Sequence, residues 1–344
     1  MARVGEDTAV VILNYNGLED TLKCLASLSK QTAAGFAVIV VDNASEEDPS
    51  RISSEFPQAV LIKRSVNGGW AGGNNTGIRE AIIKGARRII LLNNDTVVTE
   101  DFVERMALAG AANAEYGIIG PVVRYMEPPH SVMVEACLYN RPGYDGFFED
   151  KAVAELREDP PAVEDADIVN GCCMMIEREV IEEIGLFDER FFLLCEESDY
   201  CLRALESGWK CGVLRESLVK HKGGAAFKRS GSSLKSYYDP RNMWLLLTKH
   251  SGKAPFGRGF FASAAQYVKT VHHMYCDALE DSASVSAERV VEGVSDAWRG
   301  VYGPMPGRRF RVADTGVRVF MKSFYGLYRI KRVFVPSGTK KKNK

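Results

Sequence analysis

The chain has 344 residues, 46% hydrophobic and 26% charged, a balance that excludes a disordered protein and allows one or two globular domains. Its net charge of −1 conceals a polarity: residues 301–344 hold 12 Lys and Arg against one acid, Asp314, a net +11, so residues 1–300 carry −12. There is no apolar run of about 18 residues, and the first one, Ala9 to Leu13, is too short for a secretory signal, so neither a membrane-spanning helix nor export is expected.

Thr8 to Leu13 reads as a strand buried on both faces, because its apolar residues are continuous rather than alternating. It ends in Asn14-Tyr15-Asn16-Gly17. Leu18 to Ser29 reads as a helix, with Leu18, Leu22, Leu25 and Leu28 at three- and four-residue spacing. Ala37 to Val41 is a second strand, ending in Asp42-Asn43-Ala44-Ser45. Asp48 to Phe56 reads as a helix stopped by Pro57, and Ala59 to Ile62 as a third strand. Asn67-Gly68-Gly69-Trp70-Ala71-Gly72-Gly73-Asn74-Asn75 reads as a glycine loop opening a helix from Asn74 to Gly85. Such a loop permits close backbone approach and suits phosphate. Trp70 stands where a G-x-G-x-x-G fingerprint needs glycine, and no Gly-Lys-Ser/Thr follows, so neither nucleotide motif fits. The central stretch is Arg87 to Val98, in which the apolar run Ile89 to Leu92 breaks abruptly to Asn93-Asn94-Asp95-Thr96. Asn, Asp and Thr are also ordinary turn residues. Three strand ends rich in Asn and Asp on one edge of a βαβ series are harder to assign to turns alone, because that edge is where open α/β sheets bind ligands. Asp95 supplies a hard oxygen suited to Mg²⁺ or Mn²⁺ beside phosphates.

Thr99 to Ala114 reads as a helix capped by Thr99, with Phe102, Met106 and Ala109 on one face, and Gly117 to Val123 as a strand. Tyr125 to Glu164, with three Pro-rich breaks, reads as an inserted loop region. Ile168 to Ile176 reads as a strand interrupted by Gly171, either a packing glycine or a point of close approach. Glu196-Glu197-Ser198-Asp199 opens a helix, where acids complement the macrodipole. Three carboxylates in four residues exceed that need, and crowding can leave one poised as a base. Lys210 to Leu214 and Ser217 to Val219 read as strands, followed by His221 before a glycine turn, and Ser232 to Lys249 as a helix. From Pro255 onward the chain is helical in pattern and increasingly basic. The cysteines show no C-x-x-C pair; scattered Cys24, Cys137 and Cys276 and adjacent Cys172-Cys173 read as buried thiols of a reducing compartment.

In this order, Asn14-Tyr15-Asn16, Asp42-Asn43-Ala44-Ser45, Asn67-Gly68-Gly69 with Gly72 and Asn74, Asn93-Asn94-Asp95, Gly171-Cys172, Glu196 to Arg203, and His221 form a specific series. The series resembles the family 2 inverting glycosyltransferases of the GT-A fold, in particular their rhamnosyltransferase-like branch, over about residues 8–250. The resemblance implies an α/β fold with a mostly parallel, doubly wound sheet and C-terminal helices. It implies a catalytic domain over residues 1–250, with a nucleotide-sugar half (1–123) and an acceptor half (124–250), then a basic helical extension (251–344). On the same basis, Asn14, Asn16, Asp42, Asn43, Asn67, Gly69, Asn74 and Asn94 surround the nucleotide-sugar donor. Asp95 and His221 hold Mg²⁺ or Mn²⁺, with Asn93 replacing the first acid of the DXD metal motif, so metal affinity is expected to depend on the donor diphosphate. Glu197 is the expected base, with Glu196 and Asp199 as competitors. The expected donor is dTDP-rhamnose or a UDP-sugar, and the acceptor a glycan or lipid-linked glycan of the cell surface.

Two other classes compete. A nucleotidyltransferase calls for a basic Gly-rich loop after the first strand, and Asn16-Gly17-Leu18-Glu19-Asp20 is not one. A catalytically inactive sugar-nucleotide-binding protein is opposed by the joint presence of Asp95, Glu197 and His221. Val317, Phe320, Met321, Phe324, Tyr325, Leu327, Tyr328 and Ile330 interleave with Arg318, Lys322, Arg329, Lys331 and Arg332, and Lys340, Lys341, Lys342 and Lys344 follow. That pattern suits an interfacial helix on an anionic membrane, and equally a helix packed on the protein with a solvated tail. The expected location is cytoplasmic, with peripheral contact at the inner face of the membrane. No nucleic-acid motif accompanies the charge, and a homodimer is left open.

Overall fold

The computed structural model describes residues 5–134, 136–139, 148–223, 233–251, 259–280, 284–307 and 314–323. The chain forms two compact units, one of residues 1–225 with 250–259, the other of residues 226–249 with 260–344.

In the first unit β1 (Thr8–Asn14), α1 (Leu18–Leu28), β2 (Ala37–Asp42), α2 (Ser50–Glu55), β3 (Val60–Lys63), α3 (Gly69–Ile83) and β4 (Arg88–Asn93) form a parallel half-sheet ordered β4-β1-β2-β3. Ala9 to Ile12 of β1 and Ile89 to Leu91 of β4 are fully buried, as their unbroken apolar runs require. Next come β5 (Thr96–Val98), α4 (Phe102–Ala112), β6 (Tyr116–Tyr125), β7 (Val132–Val134), β8 (Ala136–Tyr139), β9 (Phe148–Lys151), β10 (Val163–Ala166), β11 (Cys173–Glu177), α5 (Arg178–Ile184), α6 (Glu196–Glu206) and β12 (Lys210–His221). The main sheet runs β10-β12-β6-β11-β4-β1-β2-β3, with β5 on β12 and β7 on β6, while β8 and β9 pair separately. Antiparallel β11 sits between β4 and β6, which makes the second half mixed.

Several expectations are corrected. The glycine segment is not a loop: α3 begins at Gly69. Glycine is a poor helix former, but here packing overrides propensity, since Gly73 and Gly77 bring α3 against Leu13 and Val11 of β1. Thr99 does not cap α4. Asp101 precedes the helix, and the Thr99 hydroxyl donates to Asp101 at 2.8 Å. The region read as a loop from Tyr125 to Glu164 carries β7 to β10, residues 135 and 140–147 lying outside the described ones. Gly171 precedes β11 rather than interrupting it. The two strands read over residues 210–219 are one bulged strand, β12, whose last residue is His221. All eight cysteines are free thiols, seven of them buried.

The second unit contains α7 (Ser233–His250, up to residue 249), α8 (Phe260–Glu280), α9 (Ser284–Trp298) and a helix at residues 314–323. Fully buried Arg241 lies over the rings of Tyr237, Tyr238 and Tyr302 and donates to the Gly303 carbonyl at 2.5 Å. Tyr237 donates to Asp296 at 2.7 Å, tying α7 to α9. Val317 and Met321 of the last helix are buried, and Arg318 pairs with Glu288. The aromatic and basic residues expected over 324–344 lie outside the described residues. No helix among the described residues is long and apolar enough to cross a membrane.

A Cβ at Gly77 would stand 2.2 Å from Val11 Cγ1. Overpacking of this kind costs about 1–3 kcal/mol, and the helix propensity of alanine returns about 1 kcal/mol. Gly77→Ala should therefore lower the urea midpoint with an unchanged m-value. A midpoint at or above wild type would show that α3 can move away from β1.

Candidate active site

The carboxyl ends of β1, β2 and β4 are cross-linked by their own polar side chains. Asn14, at the end of β1, donates to Asp42 at 2.8 Å and to Ser45 at 3.3 Å, and accepts from the Thr21 hydroxyl at 2.8 Å. Asp42 accepts the Ser45 backbone N–H through its other oxygen at 3.2 Å. Asn16 adopts φ 49° and receives the Glu46 N–H at 2.8 Å, while its own N–H donates to Ser45 at 3.0 Å. Buried Asn43 donates to Asn67 and to the Gly69 carbonyl, both at 2.9 Å, and accepts from the Gly68 N–H at 3.1 Å. Gly69 is required by geometry: its φ is +69°, and a Cβ would lie 2.0 Å from the Phe192 carbonyl oxygen. Asn74 is buried and donates to the Trp70 carbonyl within α3 at 2.9 Å. The structure thus gathers Asn14, Asn16, Asp42, Asn43, Asn67 and Gly69 at one edge and turns Asn74 into helix packing.

Beyond β4 the three polar residues diverge. Asn94 donates to the Gly17 carbonyl at 3.1 Å and to the Thr21 hydroxyl at 3.0 Å, which fastens it to the start of α1. Asp95 is buried, and one oxygen lies 2.9 Å from His221 Nε2. β5 pairs with the end of β12, which brings these two residues together across a long stretch of sequence. Burial pulls the His221 pKa down, but Asp95 and the neighbouring Cys172 outweigh it and raise it from 6.5 to about 10. Lys222 contacts Asp20 through its ammonium group and donates its N–H to the Asp95 carbonyl at 3.1 Å. Among the described residues no group of three His, Cys, Asp or Glu side chains forms a metal cage. Asp95 and His221 fit half of a divalent-ion site, the kind that draws its remaining oxygens from substrate phosphates and water.

The acidic helix α6 approaches the same corner through Gly171. A Cβ there would meet Glu197 Cβ at 3.3 Å and the Trp70 ring at 3.4 Å. Glu197 is half-buried and accepts from the Ser198 hydroxyl at 3.2 Å. Glu196 is buried at the first position of the helix. Asp199 is fully buried, with one oxygen 2.9 Å from Arg203 Nε and the other 2.9 Å from His250 Nε2. His250 reaches Glu206 through its other ring nitrogen at 2.6 Å.

Two contributors were not legible from spacing. Trp70 donates its indole N–H to Asn93 at 3.1 Å and its backbone N–H to Phe192 at 2.7 Å. Asn75, fully within α3, donates to the Phe187 carbonyl and to Glu189, both at 3.0 Å, and accepts the Phe187 N–H at 3.0 Å. The burial-prone tryptophan among glycines was the one hint of the first; nothing in the sequence marked the second.

A parallel nucleotide-type half-sheet, a mixed second half and a carboxylate–histidine corner at their junction define a GT-A glycosyltransferase fold. The chain belongs to glycosyl transferase family 2, whose family model matches residues 9–185. It is a glycosyltransferase. It is 28% identical over 245 residues to the low-salt glycan biosynthesis hexosyltransferase Agl10 of Haloferax volcanii, covering 70% of this chain and 75% of that protein. It is 28% identical over 247 residues to the dTDP-rhamnosyl transferase RfbF of Shigella flexneri, covering 70% and 79%. Among solved structures it is similar to GalNAc-T7 with UDP, GalNAc and Mn²⁺, at a TM-score of 0.53 and 16% identity, covering 62% of this chain and 43% of that one. The family match ends before Glu196, Glu197, Asp199 and His221, so their roles rest on resemblance and geometry.

The raised His221 pKa carries a stability consequence. The folded state holds the proton more tightly than the unfolded chain, so the stabilisation is fully present below about pH 6.5, the unfolded value, and is lost as pH rises through about 10. In EDTA, wild-type stability to urea should fall across this window, and His221→Gln should flatten that part of the profile. Parallel profiles for the two proteins would show that the Asp95–His221 pair does not bind the proton in the folded state.

Proposed function

We propose that this protein is a metal-dependent, inverting glycosyltransferase that moves a hexosyl group, rhamnose from dTDP-rhamnose or a sugar from a UDP-sugar, to a glycan or lipid-linked acceptor. The observation that carries the reading is the facing of Asp95 and His221, 2.9 Å apart, with Glu197 entering the same corner across Gly171 beside Trp70. The relatives' printed activities, rhamnosyl and hexosyl transfer, support the donor class. The solved UDP and Mn²⁺ complex of GalNAc-T7 supports a nucleotide diphosphate with a divalent ion.

In this reading the Asn14, Asp42, Asn43 and Asn67 network holds the loops that enclose the nucleotide. Asp95 and His221 would hold Mg²⁺ or Mn²⁺, which would supply charge stabilisation to the leaving diphosphate. Glu197 takes the proton of the acceptor hydroxyl as its oxygen bonds to the anomeric carbon, and the bond from that carbon to the diphosphate oxygen breaks on the opposite face. One displacement inverts the anomeric centre and needs no enzyme nucleophile. Asp199 is assigned to holding α6, because Arg203 and His250 occupy its two oxygens. The sequence charge on residues 301–344 supports a further proposal, peripheral contact with an anionic membrane from the cytoplasmic side.

Transfer should stop in EDTA. Glu197→Gln cannot accept a proton, and should lose turnover by at least about 10²-fold, the usual worth of a positioned base, while binding UDP or dTDP as wild type does. Near-normal turnover of the variant would return the role to Glu196 or Asp199.

Membrane contact is tested by flotation. Truncation after Ser323 spares the helix that buries Val317 and Met321 and removes seven Lys and Arg. Full-length protein should bind phosphatidylserine vesicles at low salt and release at high salt, and the truncated chain should stay unbound. Equal recovery of both unbound would end the membrane proposal.

A further inference from the structure

His250 is a buried imidazole that the transfer chemistry does not use. It closes α7 and belongs to the first unit, together with α6. Both of its ring nitrogens face carboxylates of α6: Nε2 lies 2.9 Å from Asp199 and Nδ1 2.6 Å from Glu206. Asp199 and Glu206 are seven positions apart, which is two turns of a helix with about 3.6 residues per turn. One rigid ring therefore meets the same face of α6 at two heights.

That geometry opposes rotation of the helix about its own axis. Among the described residues no side-chain hydrogen bond caps the start of α6, and Cys195 before it adopts φ 68°. Arg203 ties Asp199 to the carbonyls of Ile184 and Leu186, but it is itself a residue of α6. His250 reaches the helix from a part of the chain 51 positions beyond Asp199. Glu197 stands two positions before Asp199, about 200° around the axis, so it projects from the face away from His250. There it meets the Gly171 side, where a Cβ would lie 3.3 Å from Glu197 Cβ. At a helix radius of about 5–6 Å with side chains, a turn of about 10° displaces the Glu197 carboxylate by about 1 Å. A misplacement of about 1 Å can cost about 10²-fold in rate.

We propose that His250 is a positioning residue for the base: by bridging Asp199 and Glu206 it sets the rotation of α6 and thereby the aim of Glu197. The inference rests on the glycosyl-transfer reading above, with Glu197 as the base. His250 acts through α6 and not on the substrate.

The test follows release of nucleoside diphosphate from dTDP-rhamnose and from UDP-glucose, with Mn²⁺ present and water as the acceptor. His250→Leu removes both contacts. Glu206→Ala removes only the far one, nine positions from Glu197, and is the variant that decides if His250→Leu does not fold. His250→Leu should lower kcat about 10- to 100-fold, and Glu206→Ala should act in the same direction. Donor KM, and the calorimetric affinity for dTDP or UDP, should stay within about twofold of wild type. In a Glu197→Gln background both substitutions should change kcat little, because no base remains to be aimed. A merely structural role would lower turnover by the same factor in both backgrounds, or weaken nucleotide binding as well, and either result overturns the inference. Unchanged kcat in folded His250→Leu, or in Glu206→Ala where the leucine variant does not fold, does the same. If wild type releases nucleoside diphosphate from neither donor, the glycosyl-transfer reading fails, and the inference with it. If wild type and Glu197→Gln turn over equally, the base assignment fails and takes the inference with it, while the transfer reading stands.

Discussion

The buried hydrogen bond from Asn14 to Asp42, 2.8 Å long, joins the ends of two adjacent parallel strands, and the polar edge of the sheet is built outward from it. Parallel strands end together at one edge, and their last polar side chains must be satisfied there. Leaving one such buried group unpaired costs about 1–3 kcal/mol. Asn14 meets this demand by linking Asp42, Ser45 and Thr21, and Asn94 reaches the same Thr21 from β4. Asn43 continues the network to Asn67 and Gly69. The polar edge is therefore a rigid, cross-braced frame before any ligand arrives.

The second half of the site hangs from that frame by the segment before α6. Phe192, Leu194 and Cys195 all adopt positive φ, a conformation costing of order 1–3 kcal/mol per residue for side chains of this kind. Such strain persists only where the surroundings hold it. Here the Phe192 carbonyl accepts from Trp70 on α3. Arg203 grips the carbonyls of Ile184 and Leu186 at 2.7 and 2.9 Å as well as Asp199. Asn75 clamps Phe187 from the opposite side. These contacts hold the start of α6 with Glu197 beside Gly171, and the acids at the helix start also meet its positive dipole end.

Much of this was legible along the chain. Unbroken apolar runs at residues 9–12 and 89–92 read as strands covered on both faces, and each ends in polar residues that a parallel sheet collects on one edge. The α3 segment was misread because local propensity and tertiary packing conflict there. Glycines weaken a free helix, yet Gly73 and Gly77 are what allow α3 to lie against β1. The strands within residues 125–164 were missed because each is short and lacks alternation, so that pairing with β6 and β12 alone defines β7 and β10.

The sequence by itself determined the family, the order of the strands and helices of the parallel half-sheet, and the residue types at its polar edge, because those depend on local patterning and on motifs that are contiguous in the chain. Only the tertiary structure decided what each polar residue does. The separation of Asn93 from Asn94 and the meeting of Asp95 with His221 depend on partners 23 to 126 positions away. No local pattern encodes them, since a side chain's role at such an edge is set by which neighbour folding brings within hydrogen-bonding reach.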